Sequence, residues 1–231
     1  MSTSNDLATL GRLLAVPSRA AMLDALFDGG DWAVGDLARA AGISSSTASE
    51  HLAAMTAGGL VTSTQQGRHR LYHLASDEIA QALESLSTLA PLRVESGLTK
   101  ISKMEALHRA RTCYDHLAGR LGVLVADGFV SSGHLEPAER GFAMTPQGHR
   151  AFESEGIDVA EVVRARRPTT LACLDWSEKR PHLAGALGAA VLTQLLAIAG
   201  IQRIGTGRAV RLRPPGADVL GRLGVDVTSW R

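Results

Sequence analysis

Leu7, Leu10 and Leu14 recur at helical spacing near the start of the chain, which predicts a short amphipathic helix. Pro17 opens a second apolar stripe through Ala20, Met22, Leu23, Leu26 and Phe27, and Gly29-Gly30 closes it. Trp32 to Val34 allows a short strand, and Asp36 to Ala41 predicts a third helix with Gly42 as its left-handed stop. Ser44 is placed to cap a fourth helix from Ser45 to Ala57, which ends at Gly58-Gly59. Two extended runs follow, Leu60 to Gln65 and His69 to Leu74, joined through Gln66-Gly67-Arg68 as a β-hairpin. A further helix is expected from near Ser76, carrying Ile79, Leu83, Leu86 and Leu89.

The stretch from Leu37 to Leu52 has the pattern of two helices packed across a tight turn. Small Ala38 and Ala41 permit close approach, and Leu37, Ile43, Ala48 and Leu52 are expected to bury. Ser44, Ser45, Ser46, Thr47, Ser49, Glu50 and His51 then fall at the N-terminal end of the second helix. Such an end enters a DNA major groove, where hydroxyls meet phosphates or base edges. Arg68, His69 and Arg70 sit at the hairpin tip, suited to the backbone or minor groove. Glu50 either accepts from a cytosine amino group or turns to solvent. The plainer alternative is a small helical bundle with a polar surface helix.

These pieces resemble the arsenical-resistance repressor (ArsR) family of winged-helix regulators. The resemblance rests on Asp36-Leu37-Ala38, Gly42-Ile43-Ser44, Ser46-Thr47-Ala48-Ser49-Glu50-His51-Leu52, Gly59-Leu60-Val61 and Gly67-Arg68-His69-Arg70-Leu71-Tyr72-His73-Leu74. It implies a homodimer formed by the first and fifth helices, consistent with leucine stripes that would otherwise be exposed apolar surface. It also implies where metal-sensing members place their ligands, and this sequence departs there. Asp31 to Leu37 contains no cysteine, and Asp77 to Leu89 contains no histidine.

The expected fold is mainly α with small β-hairpins. Residues 1–90 form a winged helix–turn–helix, and residues 91–231 an α+β domain of two winged-helix-like repeats, about 106–160 and 173–231. Gly141-Phe142-Ala143-Met144-Thr145-Pro146-Gln147-Gly148 is echoed by Ala209-Val210-Arg211-Leu212-Arg213-Pro214-Pro215-Gly216. His116-Leu117-Ala118-Gly119 is echoed by His182-Leu183-Ala184-Gly185, and Cys113-Tyr114-Asp115 by Cys173-Leu174-Asp175. Each copy reads as a long apolar helix, a turn or hairpin, a strand and a short Pro-started helix, with Ile201 to Ile204 and Ala209 to Arg213 flanking Gly205-Thr206-Gly207 as a hairpin in the second. The Gly and Ala residues at 118, 119, 184 and 185 are expected to let paired helices approach. Some long ArsR relatives resemble this segment too, which implies a sensing or assembly domain.

Candidate effector residues are Cys113, Tyr114, His116, Cys173, Asp175, Trp176 and His182. Cys113 and His116, three apart on an expected helix, can reach one ion, and Cys173, Asp175 and His182 complete it if the lobes face each other. Zinc or haem iron, a reversible thiol switch, and structural packing with histidines paired to Asp115 and Asp175 all remain open; packing is favoured, with no cofactor expected. Tyr114 and Trp176 would line an organic-ligand pocket or anchor the lobe cores. Arg164, Arg166, Arg167, Arg203, Arg208, Arg211 and Arg213 would touch DNA or an anion, or lie on solvated faces.

Charge tempers this picture. The 231-residue chain carries a net charge of +1, and in residues 1–75 Arg12, Arg19, Arg39, Arg68 and Arg70 are outnumbered by Asp6, Asp24, Asp28, Asp31, Asp36 and Glu50. Non-specific attraction to phosphate is therefore weak, and DNA binding must come from shaped docking doubled by dimerisation. No run of about eighteen apolar residues suggests a membrane span, and no signal peptide is evident at the N-terminus, so a cytoplasmic protein is expected. Two cysteines are too few for a disulfide scaffold. No nucleophile elbow, phosphate loop or His-Glu-x-x-His motif points to an enzyme. The expected function is a dimeric repressor of a double-stranded operator, released by a small-molecule effector or redox change. The alternative is a constitutive DNA-binding or architectural protein.

Overall fold

Residue chemistry sets the boundaries of the N-terminal elements. In the computed structural model, which describes residues 7–27, 31–90, 98–139, 141–204 and 208–228, α1 spans Leu7–Leu14 and α2 spans Pro17–Leu26. Pro17 occupies the first turn of α2, where no backbone donor is needed. Strand β1 (Trp32–Ala33) leads directly into α3 (Val34–Ala41), which starts two residues before the expected Asp36. Gly42 ends α3 at φ +66, a left-handed conformation that a side chain would strain. The Ser44 hydroxyl then accepts the Thr47 backbone N–H at 3.2 Å and caps α4 (Ser45–Ala57). Strands β2 (Val61–Gln66) and β3 (His69–Leu74) turn through Gly67 and Arg68, with Gln66 paired to His69. β1 joins the other edge of β3, giving the order β1-β3-β2. Helix α5 covers Asp77–Leu89, and the Ser76 hydroxyl accepts the Ile79 N–H.

The chain divides into two compact units, Met1–Ala82 and Leu83–Arg231, and the division falls within α5. The core of the first holds Leu13, Met22, Leu26, Leu37, Ala48, Leu52, Met55 and Leu74. Of the four residues expected to bury, Leu37, Ala48 and Leu52 do so, whereas Ile43, in the turn, is half-buried. Leu13, between the anticipated stripe positions, is the buried residue of α1, and Leu7 is 75% exposed. Gly29-Gly30 and Gly205-Thr206-Gly207 lie outside the described residues.

In the second unit the end of α5 is followed by α6 (Leu98–Arg109), a helix not anticipated from sequence. Then follow β4 (Arg111–Cys113), β5 (His116–Ala118), α7 (Gly119–Ser131), β6 (Leu135–Ala138), β7 (Gly141–Met144) and α8 (Pro146–Ser154). After α9 (Val159–Arg164) come β8 (Leu171–Leu174), β9 (Pro181–Ala184), α10 (Gly185–Ala197), β10 (Ile201–Arg203), β11 (Val210–Leu212) and α11 (Pro214–Arg222). Hairpin, long helix, hairpin and Pro-started helix thus occur twice in order. A single core spans both stretches, including Leu121, Phe129, Phe152, Leu187, Leu195 and Leu220.

Two expectations need correction. Cys113 and His116 are not on a helix: they face each other across a hairpin turn formed by Tyr114 and Asp115. Spacing by three suits a helical turn and a two-residue hairpin equally, and here Tyr114 takes φ 56, which breaks helix geometry. The close approach between the two stretches also lies elsewhere. Ala118 and Ala184 end strands, while Gly119 and Gly185 begin helices. Gly119 and Gly185 do admit close neighbours, the backbone oxygens of His108 and Pro168, 2.8 and 2.7 Å from where a Cβ would stand. The other stretch is met at Gly122 and Gly188: a Cβ on Gly122 would lie 2.5 Å from the Leu117 carbonyl oxygen and 3.5 Å from the His182 Cβ. One on Gly188 would lie 2.6 Å from the Leu183 oxygen and 3.2 Å from the His116 Cβ. Each histidine is seated on the helix of the other stretch, as α7 packs on β9 and α10 on β5.

Candidate functional site

The first constellation lies on α4 and the β2–β3 hairpin. No acidic residue occupies the first turn of α4, so its exposed backbone donors and the positive end of the helix dipole are left open to an anion. Ser44, Ser45, Ser46, Ser49 and Glu50 are exposed and Thr47 is half-buried. The Ser44 hydroxyl lies 2.8 Å from that of Ser46 and 2.9 Å from that of Thr47, while the Ser49 hydroxyl donates to the Ser45 carbonyl. His51 is half-buried, its Nε2 2.9 Å from the Ser18 hydroxyl, which ties α4 to α2. Arg68, His69 and Arg70 are all exposed on the hairpin. Gln65 and Gln66, which the sequence did not single out, are exposed beside them.

The second constellation is buried in the C-terminal unit. The β4–β5 hairpin sets Cys113 opposite His116, and the β8–β9 hairpin sets Cys173 opposite His182. Packing of β5 against β9 brings all four together, with one donor atom from each within 4.8 Å of the others. The sulfurs are 3.9 Å apart and the two Nε2 atoms 3.1 Å apart. Cys113, His116 and His182 are buried, and Cys173 is partly so.

Behind each imidazole stands a carboxylate. His116 Nδ1 is 3.2 Å from Asp115, which also accepts from Arg167. His182 Nδ1 is 3.3 Å from Asp175. Asp175 in turn accepts from Arg111 at 2.9 Å, from the Gly119 N–H at 2.7 Å, and from Ser177 and Glu178. Burial raises the carboxyl pKa of Asp175, but His182, Arg111 and Ser177 outweigh it and hold the group far below the usual range. Burial disfavours the His182 cation, yet the nearby Asp175 carboxylate and Cys113 sulfur carry its pKa up to about 9. Contact with Cys173 and burial both push the Cys113 thiol upward. With the Nε2 atoms at 3.1 Å, at least one ring must present a lone pair inward, because two N–H donors cannot face each other.

Trp176 is half-buried. The Arg111 guanidinium lies 4.5 Å over its ring, and His108 meets it edge-on at 5.0 Å. Tyr114 is half-buried in its hairpin turn. A cavity of roughly 600 Å³ in this unit is lined by residues such as Glu105, Arg109, Arg211, Arg213 and Asp218. Of the arginines, Arg167 is engaged by Asp115 and Arg208 is buried, whereas Arg164, Arg166, Arg203, Arg211 and Arg213 are exposed. Arg111, fully buried, was missed from sequence.

Residues 13–64 match a family model described as a helix-turn-helix domain. Over 211 residues the chain is 38% identical to the HTH-type transcriptional regulator YdfF of Bacillus subtilis, a match covering 91% of this chain and 93% of that protein. The HTH-type transcriptional regulator CmtR of Mycobacterium tuberculosis is 44% identical over 80 residues, 35% of this chain and 67% of that one. Among solved structures, the NMR structure of the cadmium metal-sensor CMTR from Mycobacterium tuberculosis covers 39% of this chain and 94% of its own, at 37% identity and a TM-score of 0.32.

Proposed function

The chain belongs to the ArsR family of winged helix–turn–helix transcriptional regulators, and on that premise we propose that it is a cytoplasmic homodimeric repressor whose C-terminal unit receives the releasing signal. The observation that carries the DNA-binding role is the exposed, hydroxyl-rich N-terminal turn of α4, followed at once by a hairpin presenting Arg68, His69 and Arg70. Ser44, Ser45, Ser46, Thr47 and Ser49 approach phosphates and base edges of the major groove, and the hairpin contacts the flanking backbone. Glu50 points to solvent or to a cytosine amino group. His51, bonded to Ser18, sets the seat of α4.

Dimerisation is supported by the exposed leucines of the two helices that the family resemblance implicates, Leu7 on α1 and Leu86 and Leu89 on α5. Residues 1–90 make up the DNA-binding and dimerisation domain. Residues 91–231 form the sensing domain, two related lobes about a pseudo-twofold axis. Signal binding changes operator affinity only to the extent that it favours one state of the dimer over the other.

Selection from a randomised duplex library on the purified chain tests this. A palindromic motif whose half-site centres are about one helical turn apart, or a multiple of it, is expected. Enrichment of no motif, or a chain that is monomeric at the concentrations used, overturns the reading.

A further inference from the structure

We propose that Cys113, His116, Cys173 and His182 form a tetrahedral binding site for one divalent zinc-class ion per chain, with each hairpin of the C-terminal unit supplying one thiolate and one imidazole.

Geometry is the first argument. Around a tetrahedral zinc ion, with Zn–S near 2.3 Å and Zn–N near 2.0–2.1 Å, paired sulfurs stand about 3.8 Å apart and paired nitrogens about 3.3 Å. The observed separations are 3.9 and 3.1 Å. A disulfide would need the sulfurs to close to about 2.05 Å, and both cysteines are free thiols. The short Nε2–Nε2 separation, with two sulfurs beside it, leaves no room for a porphyrin plane, so haem does not fit.

Orientation is the second. Both rings turn Nδ1 to a carboxylate, Asp115 or Asp175, and aim Nε2 at the centre. A carboxylate hydrogen-bonded behind a ligating imidazole fixes its tautomer and strengthens it as a donor. Asp115 does this for His116, while at His182 the Asp175 oxygen stands 3.3 Å off without hydrogen-bond geometry. The carboxylates are themselves held, by Arg167 and by Arg111.

Charge is the third. Arg167 neutralises Asp115 and Arg111 neutralises Asp175, so the net charge of the filled centre is that of the ion plus two thiolates. A divalent ion makes it zero, and a monovalent one leaves an unpaired buried negative charge. Binding converts two thiols to thiolates, and their two protons leave to solvent; the imidazoles bind through lone pairs. Thiolate and imidazole donors together select zinc over magnesium or calcium.

Resting on the regulator reading above, the same ion is the signal. Asp175 behind His182 holds Arg111, and the Arg111 guanidinium is 3.6 Å from Glu84, buried on α5. Occupancy of the centre therefore bears on the helix that runs back into the winged helix–turn–helix.

Full-length protein, reduced and stripped of metal, is titrated with cobalt(II) in place of zinc. The expected result is the intense visible absorption of tetrahedral cobalt with sulfur-to-metal charge transfer, saturating at one equivalent and displaced by zinc. Cys173→Ser and His182→Gln should each weaken binding at least tenfold while gel filtration and circular dichroism stay as in the parent. A six-coordinate spectrum, no binding, or undiminished stoichiometry in a Cys113→Ser/Cys173→Ser protein overturns the site. So does an intact mass two hydrogen atoms lighter, the mark of a Cys113–Cys173 disulfide, in freshly reduced protein that no longer takes cobalt. A gel shift on the selected duplex, with and without one equivalent of zinc, should show operator Kd changing about fivefold or more. An unchanged Kd overturns the ion as signal. Failure of the zinc-free and the zinc-loaded protein alike to bind any duplex overturns the regulator reading alone and leaves the cobalt result standing.

Discussion

Arg111 donates to Asp175 at 2.9 Å with neither side chain exposed to solvent. The guanidinium also bonds the Leu107 carbonyl and the Ser177 hydroxyl and covers the face of Trp176, so one cation joins α6, β4 and the β8–β9 turn. Truncating one partner of a buried pair strands the other charge, at a cost of about 3–5 kcal/mol. Arg111→Met is therefore expected to lower the stability of the C-terminal unit by that amount, measured as a shift in urea midpoint by circular dichroism. A loss below about 1 kcal/mol would mean that Asp175 is served by its other donors alone.

Ser46→Ala combined with Thr47→Ala should weaken binding to the selected operator by about 1–3 kcal/mol, the worth of two ordinary hydrogen bonds. The variant should sediment as the parent dimer does. Unchanged affinity in a gel-shift titration would contradict the placement of α4 in the groove.

Ser44→Ala removes the hydroxyl that accepts the Thr47 N–H. The expected cost is about 1 kcal/mol of stability in the N-terminal unit, read from thermal denaturation, together with weaker DNA binding as the first turn of α4 frays.

Arg68→Ala and Arg70→Ala should each weaken binding about equally across duplex sequences. Each should also reduce the slope of log affinity against log salt by about 1. A sequence-selective loss instead would assign the residue to a base edge.

Gly188→Ala would place a methyl group 2.6 Å from the Leu183 oxygen and 3.2 Å from the His116 Cβ. Overpacking of this kind costs about 1–3 kcal/mol, and the displaced His116 should also weaken cobalt binding. Gly221→Ala, where a Cβ would meet nothing within 4 Å, is the matched control and should leave both unchanged.

The N-terminal unit was largely legible in the sequence because its signals are local. Pro17 opens α2, Gly42 stops α3, Ser44 caps α4 over Ser45–Ala57, and β3 runs from His69 to Leu74 as expected. The buried centre was only half legible. Cys113, His116, Cys173, Asp175 and His182 were recognisable as candidates by residue type, but spacing by three does not separate a helical turn from a hairpin. Convergence of two segments some sixty residues apart, 60 between the sulfurs and 66 between the imidazoles, is set by core packing. The α6 helix was passed over because its apolar residues, Leu98, Ile101, Met104 and Leu107, are interrupted by Lys100, Lys103 and Glu105. Arg111 was missed because a fully buried arginine is recognisable only once its partners are in place.

The reciprocal seating of the two histidines makes the halves of the C-terminal unit interdependent. His116 completes a groove on α10, and His182 completes the matching groove on α7. Neither stretch finishes its own helix surface, and each carries the plug for the other. A chain severed in the connection between them would leave two fragments, each with an empty socket and a stray imidazole, able to recover native packing only by finding each other again.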